Sequence, residues 1–341
     1  MVNRQTPVIE TEFINLQSDY GFKRAFGTPQ FQNNVIQLLE AALGDDIRVT
    51  RIVLQDDGGQ RRENREVEYH DKEVLPAEED GKRIVYDVYF TMRVGKGESI
   101  FKPRHQSRDK MEEDVEHHFI LEMQNVYTLP FEDRMAYYMS RMVASQGRVG
   151  WNYDLDPVIL MCITDFDFPH LTPRLIQEFE WREKETGESL TRKQRMLFYS
   201  LKQVPGEWEG CDTELQRSLY LIKNMDKMDK NSKAYSDGRY RDLFDSAESV
   251  HISAEDVVTY SQSLAHLREY QSVLDFRYEE GKEEGIAIGE ERGIAIGEER
   301  GRESEKENMA RKMLAADIQI DFISQITGIP LDRLREMQSN S

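Results

Sequence analysis

The chain has 341 residues, of which 38% are hydrophobic and 32% are charged, and its formal net charge is −19. This length and composition indicate one large or two modest globular cores and exclude a chain that is disordered throughout. The net charge argues against a protein that binds nucleic acid over its whole surface, because phosphate binding needs Lys and Arg at the contact. The acidic excess is larger after residue 150, which leaves room for a local nucleic-acid site before it.

Cysteine usage and hydropathy indicate the compartment. The sequence contains only Cys162 and Cys211, and Cys162 lies in the apolar run VILMCIT, where a buried thiol is the usual interpretation. No apolar run approaches the roughly 18 residues that span a bilayer, and the first residues lack the apolar core of a signal peptide. We therefore expect a cytoplasmic protein without a membrane partner.

The first predicted elements are a helical segment and two strands. Residues 18–44 have the spacing of a capped, partly interrupted helical segment that ends near Gly44. Residues 48–55 and 83–94 are rich in β-branched and aromatic residues, and the turn signal Asp57-Gly58-Gly59 lies between them. Both segments are predicted strands.

The next elements complete an α/β pattern. The charged residues 95–116 predict a long loop, and 117–126 predict another strand. Helical spacing returns from Phe131 to Gln146, and the run at 156–166 predicts a buried strand. The order strand, strand, helix, strand predicts a mixed sheet covered by helices.

The later part of the chain contains weaker signals and a repeat. EFEWRE at 178–183 predicts a strand, and a helix is predicted from Ser253. The octapeptide GIAIGEER at 285–292 is repeated at once at 293–300, with a glycine at every fourth position. This pattern predicts either a helix through which copies of the chain form a homo-oligomer or a solvated linker helix.

The last segment predicts two short amphipathic helices around Thr327-Gly328-Ile329-Pro330. A simple helical hairpin is favoured over a helix-turn-helix that reads DNA. We divide the chain into a core over 1–230, a helical segment over 231–275, and a C-terminal extension over 276–341.

Two acidic residues lie in apolar strand sequences. Side-chain alternation places Asp87 on the strand face opposite Tyr86 and Val88. The same rule places Glu122 and Gln124 together on one face of the following strand. Burying two polar groups in this way is costly unless they find partners.

A divalent cation would relieve the repulsion between Asp87 and Glu122, and oxygen ligands favour Mg²⁺ or Mn²⁺. Such a site would support phosphodiester hydrolysis, with the Gln124 amide positioning the attacking water or a phosphate oxygen. The alternative is that the two carboxylates form ion pairs with Lys23 or Arg134, which complete a sheet edge or a helix contact. Spacing alone leaves both open.

Four ordered motifs carry a family resemblance. They are DYGFKRAFG at 19–27, Tyr86-Asp87-Val-Tyr, Glu122-Met-Gln124, and Arg134 followed by Tyr137-Tyr138. Over roughly residues 15–230 the chain resembles the PD-(D/E)XK nuclease superfamily, and specifically its Rpn-like recombination-promoting nucleases and putative transposases. The resemblance implies an α/β, restriction-endonuclease-like fold and a Mg²⁺- or Mn²⁺-dependent endonuclease that cleaves DNA.

The resemblance also implies roles for individual residues. Asp87 and Glu122 match the metal ligands of the family, and Gln124 stands at the Lys position of its E-x-K motif. Asp19 matches an acidic position on the first helix, where it either reaches the metal or caps the helix. Lys23, one turn later, either supplies the positive charge that Gln124 lacks or binds a phosphate or a carboxylate.

Arg134 and Tyr138 follow the E-x-Q strand, and Arg134 is expected to hold a phosphate or to support Glu122. The long 95–116 segment departs from the family pattern, because it lengthens a hairpin between the acidic strands. No Cys-x-x-Cys and no phosphate-binding G-x-x-x-x-G-K-[ST] occurs, so zinc, ATP and NAD are unsupported. The rival interpretation is a cleavage-deficient interaction module that oligomerises through its C-terminal helix.

Overall fold

The computed structural model describes residues 9–43, 52–55, 61–64, 67–69, 86–94, 115–147, 150 and 152–339. The predicted turn at 57–59, the helix end at Gly44 and the loop over 95–114 lie outside these residues. The chain divides into two compact units, Met1–Glu269 and Tyr270–Ser341. The sequence-based division at residues 230 and 275 stays a prediction. No described helix is long and apolar enough to cross a membrane.

The helical segment predicted over 18–44 forms two helices, α1 (Asp19–Phe26) and α2 (Gln32–Leu43). Ser18 caps α1, because its hydroxyl accepts a hydrogen bond of 3.1 Å from the backbone N–H of Gly21. A 3₁₀ turn that begins at Pro29 separates the helices, since proline has no N–H to continue the first one. The predicted cap and interruption are confirmed.

The main sheet has six strands. In spatial order they are β3 (Val67–Tyr69), β4 (Val88–Val94), β5 (Val115–Gln124), β6 (Val158–Thr164), β8 (Ser189–Ser200) and β7 (Ile176–Arg182). The pairs β5–β6 and β6–β8 are parallel, whereas β4–β5 and β7–β8 are antiparallel. The predicted mixed sheet is therefore confirmed. A separate antiparallel pair consists of β1 (Ile52–Gln55) and β2 (Arg61–Asn64).

Helices cover both faces of this sheet. Helix α3 (Phe131–Ser145) connects the parallel strands β5 and β6, as a crossover must. It packs on one face through a core that includes Phe131, Met135, Ile120 and Leu160. The opposite face is covered by a larger core to which α1, α2, α4 (Glu214–Asn224) and α5 (Arg241–Ala247) contribute.

Helix α6 (Ala254–Ala315) begins in the first unit, where it holds the N-terminal segment in place. The Tyr260 hydroxyl accepts a hydrogen bond of 3.0 Å from the backbone of Asn15, and the Ser263 hydroxyl accepts one of 3.1 Å from Tyr20. The loop that precedes α1 is therefore tied to an element more than two hundred residues later.

Strand alternation is confirmed in β5 and fails at the start of β4. Glu122 and Ile120 lie on the α3 side of the sheet, whereas Leu121 packs on the opposite side. Tyr86, however, packs with the α3-side core, so its predicted position on the opposite face is wrong. The reason is that β4 begins only at Val88, and alternation does not apply to the irregular residues before it.

The second unit contains the end of α6 and a helical hairpin of α7 (Ile320–Thr327) and α8 (Leu331–Ser339). A small core that includes Ala310, Ile323 and Leu334 holds these three helices together. Gly328 ends α7 with φ of 73°, a conformation that glycine adopts without strain. The hairpin and the helical state of the glycine repeat are confirmed.

Candidate active site

A buried and a partly buried carboxyl group lie side by side where β4 and β5 pair. Glu122 is in β5 and its side chain is only 2% exposed. Val88 pairs with Leu121 in the antiparallel register, so Asp87, just before β4, lies next to Glu122. The structure therefore brings together the two acidic residues that the sequence selected.

Backbone hydrogen bonds fix the relative position of these carboxyl groups. The backbone N–H of Asp87 donates to Glu122 Oε1 at 3.1 Å, and the N–H of Met123 donates to Asp87 Oδ2 at 2.9 Å. Each acidic side chain thus accepts a hydrogen bond from the backbone of the segment that carries the other. The arrangement holds one oxygen of each carboxyl group and leaves Asp87 Oδ1 and Glu122 Oε2 to other partners.

The electrostatics of the pair are unfavourable without a cation. Burial raises the pKa of Glu122 well above its usual range, and the Asp87 charge raises it further. Burial likewise raises the pKa of Asp87, while its hydrogen bond from Met123 and the charge of Lys23 act in the opposite direction. Both carboxyl groups are therefore costly to ionise in their folded surroundings.

The pair fits a small oxygen-ligated cation. Mg²⁺ commonly binds one or two carboxylates and completes its coordination with waters and substrate phosphates. Asp87 and Glu122 supply two such oxygens, and a cation between them would remove their repulsion. Within the described residues, no group of three or more His, Cys, Asp or Glu side chains is arranged to hold a metal.

Lys23 connects α1 to this pair. Its ammonium group lies 3.6 Å from Asp87 Oδ1 and also forms an ion pair with Asp19 one turn earlier. Asp19 itself is 63% exposed, but its charge raises the pKa of Asp87. The sequence-based alternative to a metal site was an ion pair between these carboxylates and Lys23 or Arg134, and the contact of Lys23 with Asp87 is such a pair. The same contact places a positive charge beside the acidic pair.

Gln124 and Arg134 form a second link to Glu122. The Arg134 guanidinium donates to Gln124 Oε1 at 2.6 Å, and Gln124 Nε2 donates to Glu122 Oε2 at 3.3 Å. Arg134 comes from the first turn of α3, where its guanidinium lies over the Phe131 ring at 5.6 Å. The Gln124 amide therefore bridges Arg134 and the buried Glu122 carboxyl group, and the bridge fixes their relative positions.

Tyrosines border the site on the α3 side. The rings of Tyr86 and Tyr138 meet edge to face at 5.3 Å, and the Tyr86 hydroxyl donates to the Tyr138 carbonyl at 3.4 Å. Burial raises the pKa of Tyr138, and the Glu122 charge adds to this effect. Tyr137 is 43% exposed and points away from this contact. Tyr138 thus packs against the site, while Tyr137 faces solvent.

Sequence reasoning missed a clamp between α1 and β5. The side-chain amide of Asn125 donates to the backbone carbonyl of Gln17 at 2.9 Å. Asn125 directly follows the E-x-Q strand, and Gln17 directly precedes the Ser18 cap of α1. This bond holds the start of α1, and with it Lys23, close to Glu122.

Both cysteines are free and buried. Cys162 pairs in register with Glu122 on the neighbouring strand, and burial raises the pKa of its thiol well above the usual range. The predicted buried thiol is confirmed, and an unreactive thiol is expected from such surroundings.

A family model described as PD-(D/E)XK nuclease family transposase matches residues 110–277. The matched range includes Glu122 and Gln124, whereas Asp87 precedes it. No curated protein and no solved structure matches the chain.

The observed architecture agrees with this match. A mixed sheet with flanking helices, followed by a long C-terminal helical region, is the predicted restriction-endonuclease-like α/β fold. The family indicates a nuclease-type function. Over residues 110–277, the chain is therefore similar to the PD-(D/E)XK nuclease family transposases.

Proposed function

We propose that the protein is a metal-dependent DNA endonuclease that hydrolyses phosphodiester bonds with Mg²⁺ or Mn²⁺. The observation that carries this proposal is the pair of Asp87 and the buried Glu122, whose carboxyl groups are held by backbone hydrogen bonds. Such a pair destabilises the folded chain unless a cation or a substrate uses it. Perturbed acidic residues of this kind are typical of catalytic sites.

Asp87 and Glu122 would hold the ion through their carboxyl groups. A bound divalent ion supplies charge neutralisation at the phosphate and lowers the pKa of a coordinated water. The chain's own contribution is a fixed pair of oxygens in buried surroundings, where electrostatic interactions are stronger than in bulk water.

Lys23 and Gln124 together take the roles that a single lysine has in an E-x-K motif. Lys23 brings a positive charge to within 3.6 Å of Asp87 from a different element, and we propose that it stabilises negative charge on the phosphate. Gln124 orients Glu122, and through it the attacking water, by donating from its amide.

Arg134 and Tyr138 complete the proposed site. Arg134 fixes the Gln124 amide with one guanidinium nitrogen and has further donors for a phosphate oxygen. Tyr138 closes the α3 side of the pair by packing against Tyr86. Asp19 is proposed to keep Lys23 in place rather than to bind the ion itself, because it is largely exposed and bonded to Lys23.

Cleavage of plasmid and single-stranded DNA tests the proposal. Wild type is expected to cut in Mg²⁺ or Mn²⁺, whereas Glu122→Gln from the same preparation is expected to be inactive. Glu188→Gln is the matched control, because it makes the same change on an exposed residue between β7 and β8. Absence of cleavage by folded wild type in both metals would reject the proposal, as would full activity of Glu122→Gln.

A second candidate function is an interaction module that keeps the fold without cleaving DNA and forms a homo-oligomer through α6. The observation in its favour is that both octapeptide copies lie in α6 with Ile286, Ile288, Ile294 and Ile296 exposed. Exposed isoleucines on a helix favour association with another surface. Light scattering of the full chain and of a chain ending at Leu274 separates the candidates, because an unchanged oligomeric state on truncation contradicts association through α6.

A further inference from the structure

One side of α3 carries two arginines that border the acidic pair. Arg134, Tyr138 and Arg141 are spaced by four and three residues, so they lie along one side of the helix, which we name the α3 flank. The neighbouring side of α3 is apolar and packs on the sheet through Phe131 and Met135. The α3 flank therefore runs along the boundary between the core and solvent.

This flank leads away from the site. At one end, Arg134 donates to Gln124 at 2.6 Å. In the middle, Tyr138 meets the Tyr86 ring at 5.3 Å. Arg141 comes next, three residues beyond Tyr138 on the same side of α3, and its Nε atom is buried. The three side chains thus form a continuous row that begins at the acidic pair.

Neither arginine of the row forms an ion pair within the described part of the chain. The Nε atoms of Arg134 and Arg141 are both buried without a hydrogen-bond partner there. Arg141 forms no ion pair with a described residue, although the chain has 64 acidic and 45 basic residues. The acidic residues of α3, Glu132 and Asp133, lie in its first turn on other sides of the helix.

Partly buried guanidinium groups with donors left over favour an anion that accepts several hydrogen bonds, and phosphate matches this geometry. The seven residues from Arg134 to Arg141 rise by about 10 Å along the helix. This distance corresponds to roughly three nucleotides of one DNA strand, at about 3.4 Å each.

We propose that the α3 flank is a binding track for the phosphate backbone of the DNA strand, with Arg141 contacting a phosphate about three nucleotides from the one at the acidic pair. The inference rests on the proposed nuclease function and adds the direction in which the bound DNA strand runs from the acidic pair. It also gives a chain with a net charge of −19 two arginines along the path of the DNA backbone.

The salt dependence of DNA binding tests the track. Affinity of the full chain for a labelled duplex is measured in EDTA at several salt concentrations, so that no metal contributes and no cleavage occurs. Loss of one phosphate contact should reduce the slope of log K against log salt by about 1. Arg141→Ala is expected to show this reduction, and Arg141→Lys is expected to keep the wild-type slope because it keeps the charge.

Arg192→Ala is the matched control, since it removes an exposed arginine near the opposite end of β8 from Ser200. It should leave the slope unchanged. Arg141→Gln keeps most of the side-chain stem and replaces Arg141→Ala if the alanine variant does not fold. An unchanged slope in the folded Arg141 variant would overturn the inference, and so would failure of wild type to bind DNA.

Cleavage in Mg²⁺ is measured separately on the same proteins. Wild type that binds with the expected slope but never cleaves would contradict the nuclease proposal and leave the track standing. If wild type cleaves DNA, and Arg141→Ala binds and cleaves DNA as Arg192→Ala does, the nuclease proposal stands and the binding track is contradicted.

Discussion

The ammonium group of Lys23 lies 3.6 Å from Asp87 Oδ1, although the two residues belong to elements on different parts of the chain. This contact places the single lysine of the site on α1 instead of on the E-x-Q strand. It gives the acidic pair a positively charged neighbour, and the first prediction follows from that charge.

Lys23→Gln should shift cleavage to higher pH. The Lys23 charge lowers the pKa of Asp87, against the raising effect of burial, so removing the charge raises this pKa. A carboxyl group with a higher pKa needs a higher pH to ionise and bind the metal. The pH dependence of the cleavage rate measures the shift, and Lys184→Gln, a change at an exposed lysine, serves as the control. Identical pH profiles for wild type and Lys23→Gln would contradict the prediction.

Mg²⁺ should stabilise the wild-type protein against unfolding. An ion that binds only the folded state adds about 2.7 kcal/mol at a concentration one hundred times its Kd. Thermal unfolding in EDTA and in increasing Mg²⁺ or Mn²⁺ measures this effect without DNA. Glu122→Gln should lose most of the metal-dependent increase in Tm, whereas Glu188→Gln should keep it. An equal increase in all three proteins would place the ion elsewhere.

The metal-free protein should lose stability as pH rises. Burial raises the folded-state pKa of Glu122 well above its usual value of about 4.3, so folding favours the protonated form. The resulting stability is present below the unfolded pKa and is lost as pH rises through the folded pKa. Urea unfolding in EDTA between acidic and mildly alkaline pH measures the trend. In Glu122→Gln the decline should be smaller, and an identical decline in both proteins would refute this assignment.

Gln124 and Arg134 should act as one unit. Gln124→Ala removes the amide that joins the Arg134 guanidinium to Glu122, and loss of such a supporting group commonly lowers metal affinity or activity by about 10- to 100-fold. Arg134→Ala should have a similar effect on cleavage, and the double variant should be little worse than either single one. Fully additive losses would show that the two residues act independently.

Gly21→Ala should destabilise the protein and impair cleavage together. A Cβ at Gly21 would lie 2.1 Å from the backbone oxygen of Asn15, so the start of α1 must move. Overpacking of this kind costs about 1 to 3 kcal/mol. The shift would also displace Lys23, which lies two residues further along α1. Gly206→Ala is the control, because its added Cβ meets no described atom within 4 Å; equal Tm and activity for the two variants would contradict the prediction.

Much of the site was predictable because it depends on local periodicity. Glu122 and Gln124 project from the same face of β5, as strand alternation requires, and the parallel crossover through α3 follows from the order of elements. Tyr86 was placed on the wrong face because the strand was predicted from residue 83, whereas β4 begins only at Val88. Strand alternation does not apply to the irregular residues before Val88.

The rest depends on contacts between distant residues. The bond between Asn125 and Gln17 spans 108 residues, and the contact of Asn15 with Tyr260 spans 245. Neither residue type nor spacing indicates such partners, since amides form hydrogen bonds in many settings. The position of Lys23 beside Asp87 needed the same tertiary information, so the sequence left its role open.

The most direct measurement is the rate of plasmid cleavage as a function of Mn²⁺ concentration, for wild type and for Asp87→Asn. If Asp87 and Glu122 hold the ion, wild type should cleave with a saturable dependence on Mn²⁺, and Asp87→Asn should show at most about a thousandth of that rate at any concentration. Cleavage by Asp87→Asn at the wild-type rate would contradict this claim, as would wild-type cleavage that persists in EDTA.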